Sequence, residues 1–294
     1  MTNLQDPKRR KVIKILSGLV IAGMIGGCIY IVHNLHRETT DDAYIDGRIH
    51  TIASKVSGTV LKVHVEDNQP VKKGDLLAEI DSVDFILKMN ESAANLAVRK
   101  ATLDQAVRDR DRAESLFNGK VIPREKYENA LTAYTLAKAQ LSSAEQQLNI
   151  SRQNLLYTKI YSPAEGFVTK KAVETGNQIK VEQPLMAIIE LNDIWLTANY
   201  KETQLKNVRK GQRVLVRVDT YSNKVFTGKV DSIMAGTGAA FSLFPPENAL
   251  GNYVKVVQRI PVKIVFDKNT NKDHVLRIGM SCVSTIITKN EQSQ

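Results

Sequence analysis

The chain has 294 residues, 43% apolar and 24% charged, with 6% aromatics and one tryptophan, which suits two or three small modules better than one large core. Its net charge of +10 does not point to nucleic acid: Lys8, Arg9, Arg10, Lys11 and Lys14 against Asp6 place +4 of it in the first 14 residues, and no basic stripe interleaved with aromatics follows. Cys28 and Cys282 are the only cysteines, too few and too differently placed for a disulfide scaffold.

Residues 1–14 read as a cytoplasmic tail and 15–35 as a transmembrane helix. Ile15–Val32 is 18 consecutive uncharged residues, roughly 27 Å as a helix, close to the hydrocarbon thickness of a bilayer. The basic residues before it predict a cytoplasmic N-terminus, with the chain from about His36 outside. Ile25-Gly26-Gly27-Cys28 loosely resembles a lipoprotein cleavage site. The apolar run continuing through Ile29–Val32 favours an uncleaved anchor instead. Residues 36–50 read as a linker, polar over Glu38–Asp42, and a barrel strand from Tyr44.

An internal repeat organises the next part. Ser54–Ile80 laid over Ser162–Ile188, an offset of 108, gives nine identities in 27 positions: Ser54/Ser162, Gly58/Gly166, Val60/Val168, Lys62/Lys170, Val65/Val173, Glu66/Glu174, Lys72/Lys180, Leu77/Leu185 and Ile80/Ile188. Chance gives about two. Each copy reads as short strands, with a tight bend at Gly58 or Gly166 and a turn at Asp67-Asn68 or Thr175-Gly176. A copy this small cannot bury a core alone. The segments 51–82 and 158–191 are therefore expected to face each other as a pseudo-twofold β-sandwich.

Between the copies, 83–157 has a different period. Tyr127, Tyr134, Leu141, Leu148 and Leu155 recur every seven residues, with Ala130, Ala137, Ala144 and Ser151 three residues after, the seam of a coiled coil. Upstream, Met89, Leu96, Leu103, Arg110 and Phe117 form one layer; Ile86, Ala93 and Val107 form the second, interrupted by Lys100. Gly119 can take the left-handed conformation that ends a helix, and Pro123 suits the first turn of the next. The outcome is an antiparallel hairpin with arms of roughly 50 Å and charged outward faces, as in Arg108–Arg112. A pair that goes out and returns can interrupt a β-domain without breaking it.

Residues 192–290 read as a small β-barrel. Strands are expected at Ile194–Tyr200, Arg213–Asp219, Lys224–Ile233, Ile260–Phe266 and Val275–Ile287, with one short helix at Glu202–Val208 ended by Lys210-Gly211. The connection Ala235–Asn252 is unusually apolar around Phe241, Leu243 and Phe244. It either folds back on its own barrel or contacts a partner or protomer. The whole is mixed α and β, and elongated: transmembrane helix, split lipoyl-like sandwich, helical coiled-coil hairpin, barrel.

No covalent chemistry is signalled. His33, His36, His50, His64 and His274 have no metal-binding spacing, and neither a Walker A loop nor a Gly-x-Ser-x-Gly elbow occurs. Gly236-Thr237-Gly238 lacks the third glycine of a dinucleotide fingerprint. No enzyme, metal or cofactor is expected.

This layout resembles the membrane fusion protein family of periplasmic adaptors (HlyD/EmrA type) over essentially the whole chain. Thr40–Ile45, Val56-Ser57-Gly58 and Ser162-Pro163-Ala164-Glu165-Gly166 look like its recurring segments. Gly238–Pro261, with Phe241–Asn248 and Val257–Val262, is similar to EmrA-type members. The resemblance implies a tripartite efflux pump: a major-facilitator transporter in the inner membrane, this chain as a self-associating ring, and a TolC-like outer-membrane channel. Many relatives carry Arg, Leu four residues on and Ser seven beyond at the hairpin tip where the channel docks. Arg112 and Leu116 match; Pro123 stands where the serine would. Three rivals remain. A lipoyl or biotinyl carrier would need a lysine at the Asp81-Ser82-Val83 turn. The adaptor of an ABC-type protein exporter shares the architecture. A membrane-anchored coiled-coil scaffold would have no transport role.

Overall fold

In a computed structural model of the chain, the 108-residue offset reappears as a rule of hydrogen bonding. His64 N donates to Leu77 O, and Ala172 N to Leu185 O; Asn68 N to Val168 O, and Gly176 N to Val60 O; Gly74 N to Ser162 O, and Glu182 N to Ser54 O. Each bond has a partner shifted by 108 residues in donor and acceptor. The side chains follow: Gln69 Oε1 accepts from Glu66 N at 2.9 Å, and Asn177 Oδ1 from Glu174 N at 2.8 Å. Asn68 and Gly176 take positive φ, 66° and 87°, at the expected turns.

The described residues are Met24, 36–241, 257–268, 270–271 and 275–288. They fall into two units, Ile49–Glu190 and the flanking segments up to Arg48 and from Leu191. Among them no helix is long and apolar enough to cross a membrane. The expected span Ile15–Val32 lies outside the described residues.

In the Ile49–Glu190 unit, strands β2 (Gly58–Val63), β3 (Pro70–Val71) and β4 (Leu76–Ile80) correspond to β6 (Gly166–Thr169), β7 (Gln178–Ile179) and the first part of β8 (Pro184–Lys201). β2 pairs with β4 of its own copy and β7 of the other; β6 pairs with β8 and with β3. The short middle strand of each copy is thus lent to its counterpart, so neither half can complete a sheet alone. Repeat identities supply the core: Val60 and Val168, Leu77 and Leu185, Ile80 and Ile188 are all buried, each contributing roughly 1.5–3 kcal/mol. β5 (Lys159–Tyr161) adds to the edge of β4.

The glycines do not make the expected bend. Gly58 and Gly166 begin strands with no positive φ. They are needed for close approach. A Cβ on Gly58 would meet Ile80 Cγ2 at 2.7 Å, and one on Gly166 would meet Ile188 Cγ2 at 2.9 Å and press on the Ile189 carbonyl oxygen.

The other unit is a six-stranded barrel in the order β1 (Arg37–Ala53), β12 (Ser281–Ile287), β9 (Arg213–Val218), β10 (Val225–Ile233), β11 (Arg259–Phe266), β8, with β1 and β8 also paired. Alternate residues Val214, Val216 and Val218 of β9 and Cys282, Ser284 and Ile286 of β12 are buried, the period of strands with one inner face. Tyr200 is fully buried, its hydroxyl 2.8 Å from Ser284 Oγ; burial pushes the phenol above its ordinary range.

Two barrel expectations are corrected. Glu38–Asp42 is strand rather than linker, because Thr40 is buried and bonded to Asn199 O at 2.9 Å, while Arg259 and Asn199 hold Asp42. Val275–Met280 is not strand: Gly279 has φ 86°, and its N–H donates to Ile45 O at 2.7 Å, so the chain turns before β12 starts. Glu202–Asn207 forms a 3-10 helix, with Gly211 at φ 89° beyond it.

Candidate functional site

Two long helices leave the sandwich between β4 and β5: α1 (Val83–Asn118) and α2 (Arg124–Leu156). Cross-pair contacts show that they run antiparallel. Phe117 stacks on Tyr127 at 5.3 Å between centroids, Arg110 lies 4.5 Å from the Tyr134 ring, Arg99 bonds Gln140 at 3.2 Å and Ser92 bonds Ser151 at 2.8 Å. As α1 descends in number, α2 rises by nearly the same count.

On α2 the observed seam is the expected one: Ala137, Ala144, Leu148 and Ser151 are buried, and Tyr127, Ala130, Tyr134, Leu141 and Leu155 half-buried. On α1 only one layer agrees. Met89, Leu96, Leu103, Arg110 and Phe117 turn inward, but the second layer is Phe85, Ser92, Arg99, Ala106 and Ala113. Ile86, Ala93 and Lys100 are exposed and Val107 is half-buried, so Lys100 interrupts nothing. The apolar pattern misleads because the inward residues are partly polar and are satisfied across the pair. Ser92 and Ser151 share one hydroxyl bond, with the Lys88 and Gln147 carbonyls as further acceptors, and the Arg110 guanidinium rests on a ring.

The outward faces are not uniformly charged. Val98, Ala101 and Thr102 of α1 and Ala130, Ala133 and Leu136 of α2 line a mostly apolar groove along one flank, with Asp109 as its one charged lining residue. Val98 and Leu136 are 61% and 58% exposed there.

At the tip, Gly119 has φ −77° and is not left-handed; Lys120 is, at φ 57°. Lys120 N donates to Phe117 O at 2.8 Å and Val121 N to Leu116 O at 2.9 Å, a Schellman closure with lysine where glycine is preferred. Pro123 is the N-cap of α2, one residue before the first helical turn. Arg112 and Leu116 stand one turn apart on α1, with Arg112 3.5 Å from Asp109 and Leu116 38% exposed. Val121, 69% exposed, is the most exposed large apolar residue of the tip turn; the sequence does not mark it, because the left-handed residue before it is Lys120 and not a glycine. Phe241 ends a short 3-10 turn, Gly238–Phe241, whereas Leu243 and Phe244 lie outside the described residues. Among the described residues no group of three or more His, Cys, Asp or Glu could hold a metal ion.

Residues 48–191 match the family model described as RND MFP, barrel-sandwich hybrid domain, and residues 193–287 the AAEA-like beta-barrel domain. The multidrug export protein EmrA of Escherichia coli (strain K12) is 37% identical over 88% of this chain and 78% of its own length. The chain belongs to the membrane fusion protein family of EmrA-type adaptors. The colistin resistance protein EmrA of Acinetobacter baumannii is 30% identical over 97% of this chain and 96% of its own length. Among solved structures, MacA from Actinobacillus actinomycetemcomitans matches with a TM-score of 0.65 and 25% identity, covering 85% of this chain and 80% of that one. As a membrane fusion protein the chain is a structural adaptor and not an enzyme.

Proposed function

We propose that the chain is the periplasmic adaptor of a tripartite multidrug efflux pump. Residues 15–35 anchor it in the inner membrane, and it links a major-facilitator-type transporter to a TolC-like outer-membrane channel. The observation that carries this is the sandwich itself: one pseudo-twofold β-unit is opened at a single point to emit two helices of roughly 50 Å. That arrangement has a clear mechanical use. The transporter supplies the energy, and the adaptor supplies reach.

The helices act as a coiled coil whose tip, Arg112, Leu116 and Pro123 together with Val121, docks on the channel. The mostly apolar groove through Val98 and Leu136 supports self-association into a ring, since an unburied apolar flank gains from a neighbour. Phe241, Leu243 and Phe244 serve as a further partner or protomer contact. Drug-related names among the relatives, such as multidrug export and colistin resistance, favour drug efflux over protein export.

The experiment is a mild-detergent pull-down from cells carrying photo-cross-linkers at Arg112 and Leu116. Capture of an outer-membrane channel at the tip, with copurification of a major-facilitator transporter, is expected. An ABC-type ATPase in the pull-down would instead indicate the exporter adaptor. Drug susceptibility unchanged by deletion, with no channel captured, would leave only a scaffold.

A further inference from the structure

The outer face of the barrel carries cations that few carboxylates answer. Strand register aligns Thr39, Thr285, Leu215 and Thr227 in one row across β1, β12, β9 and β10. Arg213 and Lys229 face each other two residues to one side, the side on which Arg37 starts β1 opposite Ile287; Arg217 lies two residues to the other. Thr39, Thr285, Leu215 and Arg217 line one shallow depression.

Arg37, Arg213, Arg217 and Lys229 are all exposed, and among the described residues none of them is in an ion pair. Elsewhere in this unit cations do find acids: Arg48 holds Asp193, Lys210 holds Asp231 and Arg259 holds Asp42. Among the described residues four carboxylates lie at the margin: Asp219 stands two residues beyond Arg217, and Asp231, held by Lys210, two beyond Lys229. Glu38 borders the depression, and Asp267 accepts from Thr227 Oγ1 at 2.5 Å. The face therefore keeps a positive excess spread over hydroxyl-bearing strands.

The order of the chain identifies what would cover it. The apolar run ends at Val32 and β1 begins at Arg37. Five residues of extended chain reach no more than roughly 18 Å. A span ending at Val32 delivers this end of the barrel to the headgroup layer. There, a cation within a Debye length of about 10 Å gains roughly five-fold in binding to an anionic surface.

We propose that this barrel face docks on the anionic lipid headgroups of the membrane in which the chain is anchored. The contact orients the barrel at the bilayer surface through Arg37, Arg213, Arg217 and Lys229. The proposal rests on the anchor reading of Ile15–Val32 given above.

The test uses the full chain alone in nanodiscs of phosphatidylcholine, or of phosphatidylcholine mixed with phosphatidylglycerol. Thr285→Cys in a Cys28→Ser background supplies a thiol in the middle of the face; Cys282 is buried. The readout is its labelling rate with a charged, membrane-impermeant maleimide. The expected result is labelling slowed about five-fold or more in the anionic discs. Salt near 1 M, where the Debye length is about 3 Å, should restore it, as should Arg213→Glu/Arg217→Glu/Lys229→Glu. Equal rates in the two lipids, in a chain that resists alkaline extraction, would overturn the docking and leave the anchor standing. Slowing that survives both salt and charge reversal would also overturn it. Extraction of the chain from membranes at alkaline pH would overturn the anchor reading, and the proposal with it. The salt arm needs no substitution within the cationic set, so a misfolded triple variant does not rescue the idea.

Discussion

Alanine at the two symmetry-related glycines should have unequal costs. At Gly58 the new methyl meets only Ile80 Cγ2, at 2.7 Å, a side-chain methyl that can give way by a small shift without moving backbone. At Gly166 it meets Ile188 Cγ2 at 2.9 Å and also the Ile189 carbonyl oxygen and carbon of the neighbouring strand, which cannot move without shifting the β6–β8 ladder. Overpacking of the first kind costs at most about 1 kcal/mol and of the second about 2–4 kcal/mol. In both, the stiffer unfolded chain returns about 0.4–1 kcal/mol. Gly58→Ala should therefore be near neutral, and Gly166→Ala should destabilise the sandwich by about 1–3.6 kcal/mol. Because the chain has two units, a global melt mixes their transitions. Native-state hydrogen exchange of peptides covering β2, β4, β6 and the start of β8 reads the sandwich by itself. Equal losses of protection for the two variants, or a larger loss for Gly58→Ala, would show that backbone approach at β6–β8 is not what the glycine serves.

The remaining predictions concern the helices and the barrel. Ser92→Arg, at a position 5% exposed, should disrupt the helix pair by at least about 3 kcal/mol, whereas Ala93→Arg should stay within about 0.5 kcal/mol; helical circular dichroism in urea distinguishes them, and the reverse order would restore the seam first expected. Lys120→Gly should stabilise the tip by about 0.5–1 kcal/mol by relieving a left-handed lysine, read as slower exchange of the Val121 amide. Burial, with a smaller contribution from Asp219, pushes the Cys282 thiol up to about 12, so in the native chain at pH 8 it should not react with thiol reagents. Its folded pKa is raised above the unfolded one. That contribution to stability is intact below the thiol's ordinary pKa and lost as pH climbs towards 12; the melting temperature should fall less between pH 8 and 11 in Cys282→Ala than in the wild type.

Much of this protein is legible as a pattern because symmetry and period are properties of the chain. The identities at an offset of 108 mark the paired core positions Val60/Val168, Leu77/Leu185 and Ile80/Ile188, and two copies of one motif with one buried face must meet to bury it. The seven-residue period on α2 survives because its inward residues are small or apolar. What sequence could not decide depends on partners distant in the chain. Ser92 is inward because Ser151 lies opposite it, and Arg99 because Gln140 does; a hydroxyl or guanidinium declares its side only when its acceptor is in place. Glu38–Asp42 looks like linker until Asn199 and Arg259 claim Thr40 and Asp42. Gly58 and Gly166 read as bends, but they are required by strands β4 and β8 passing over them. At the tip, the left-handed residue proved to be Lys120 rather than Gly119, because the two closing bonds to Leu116 and Phe117 set the turn. Local period determined which elements form and roughly where they end. Tertiary contact determined which face each one turns inward, since burial of a polar group is tolerated only where a particular partner satisfies it.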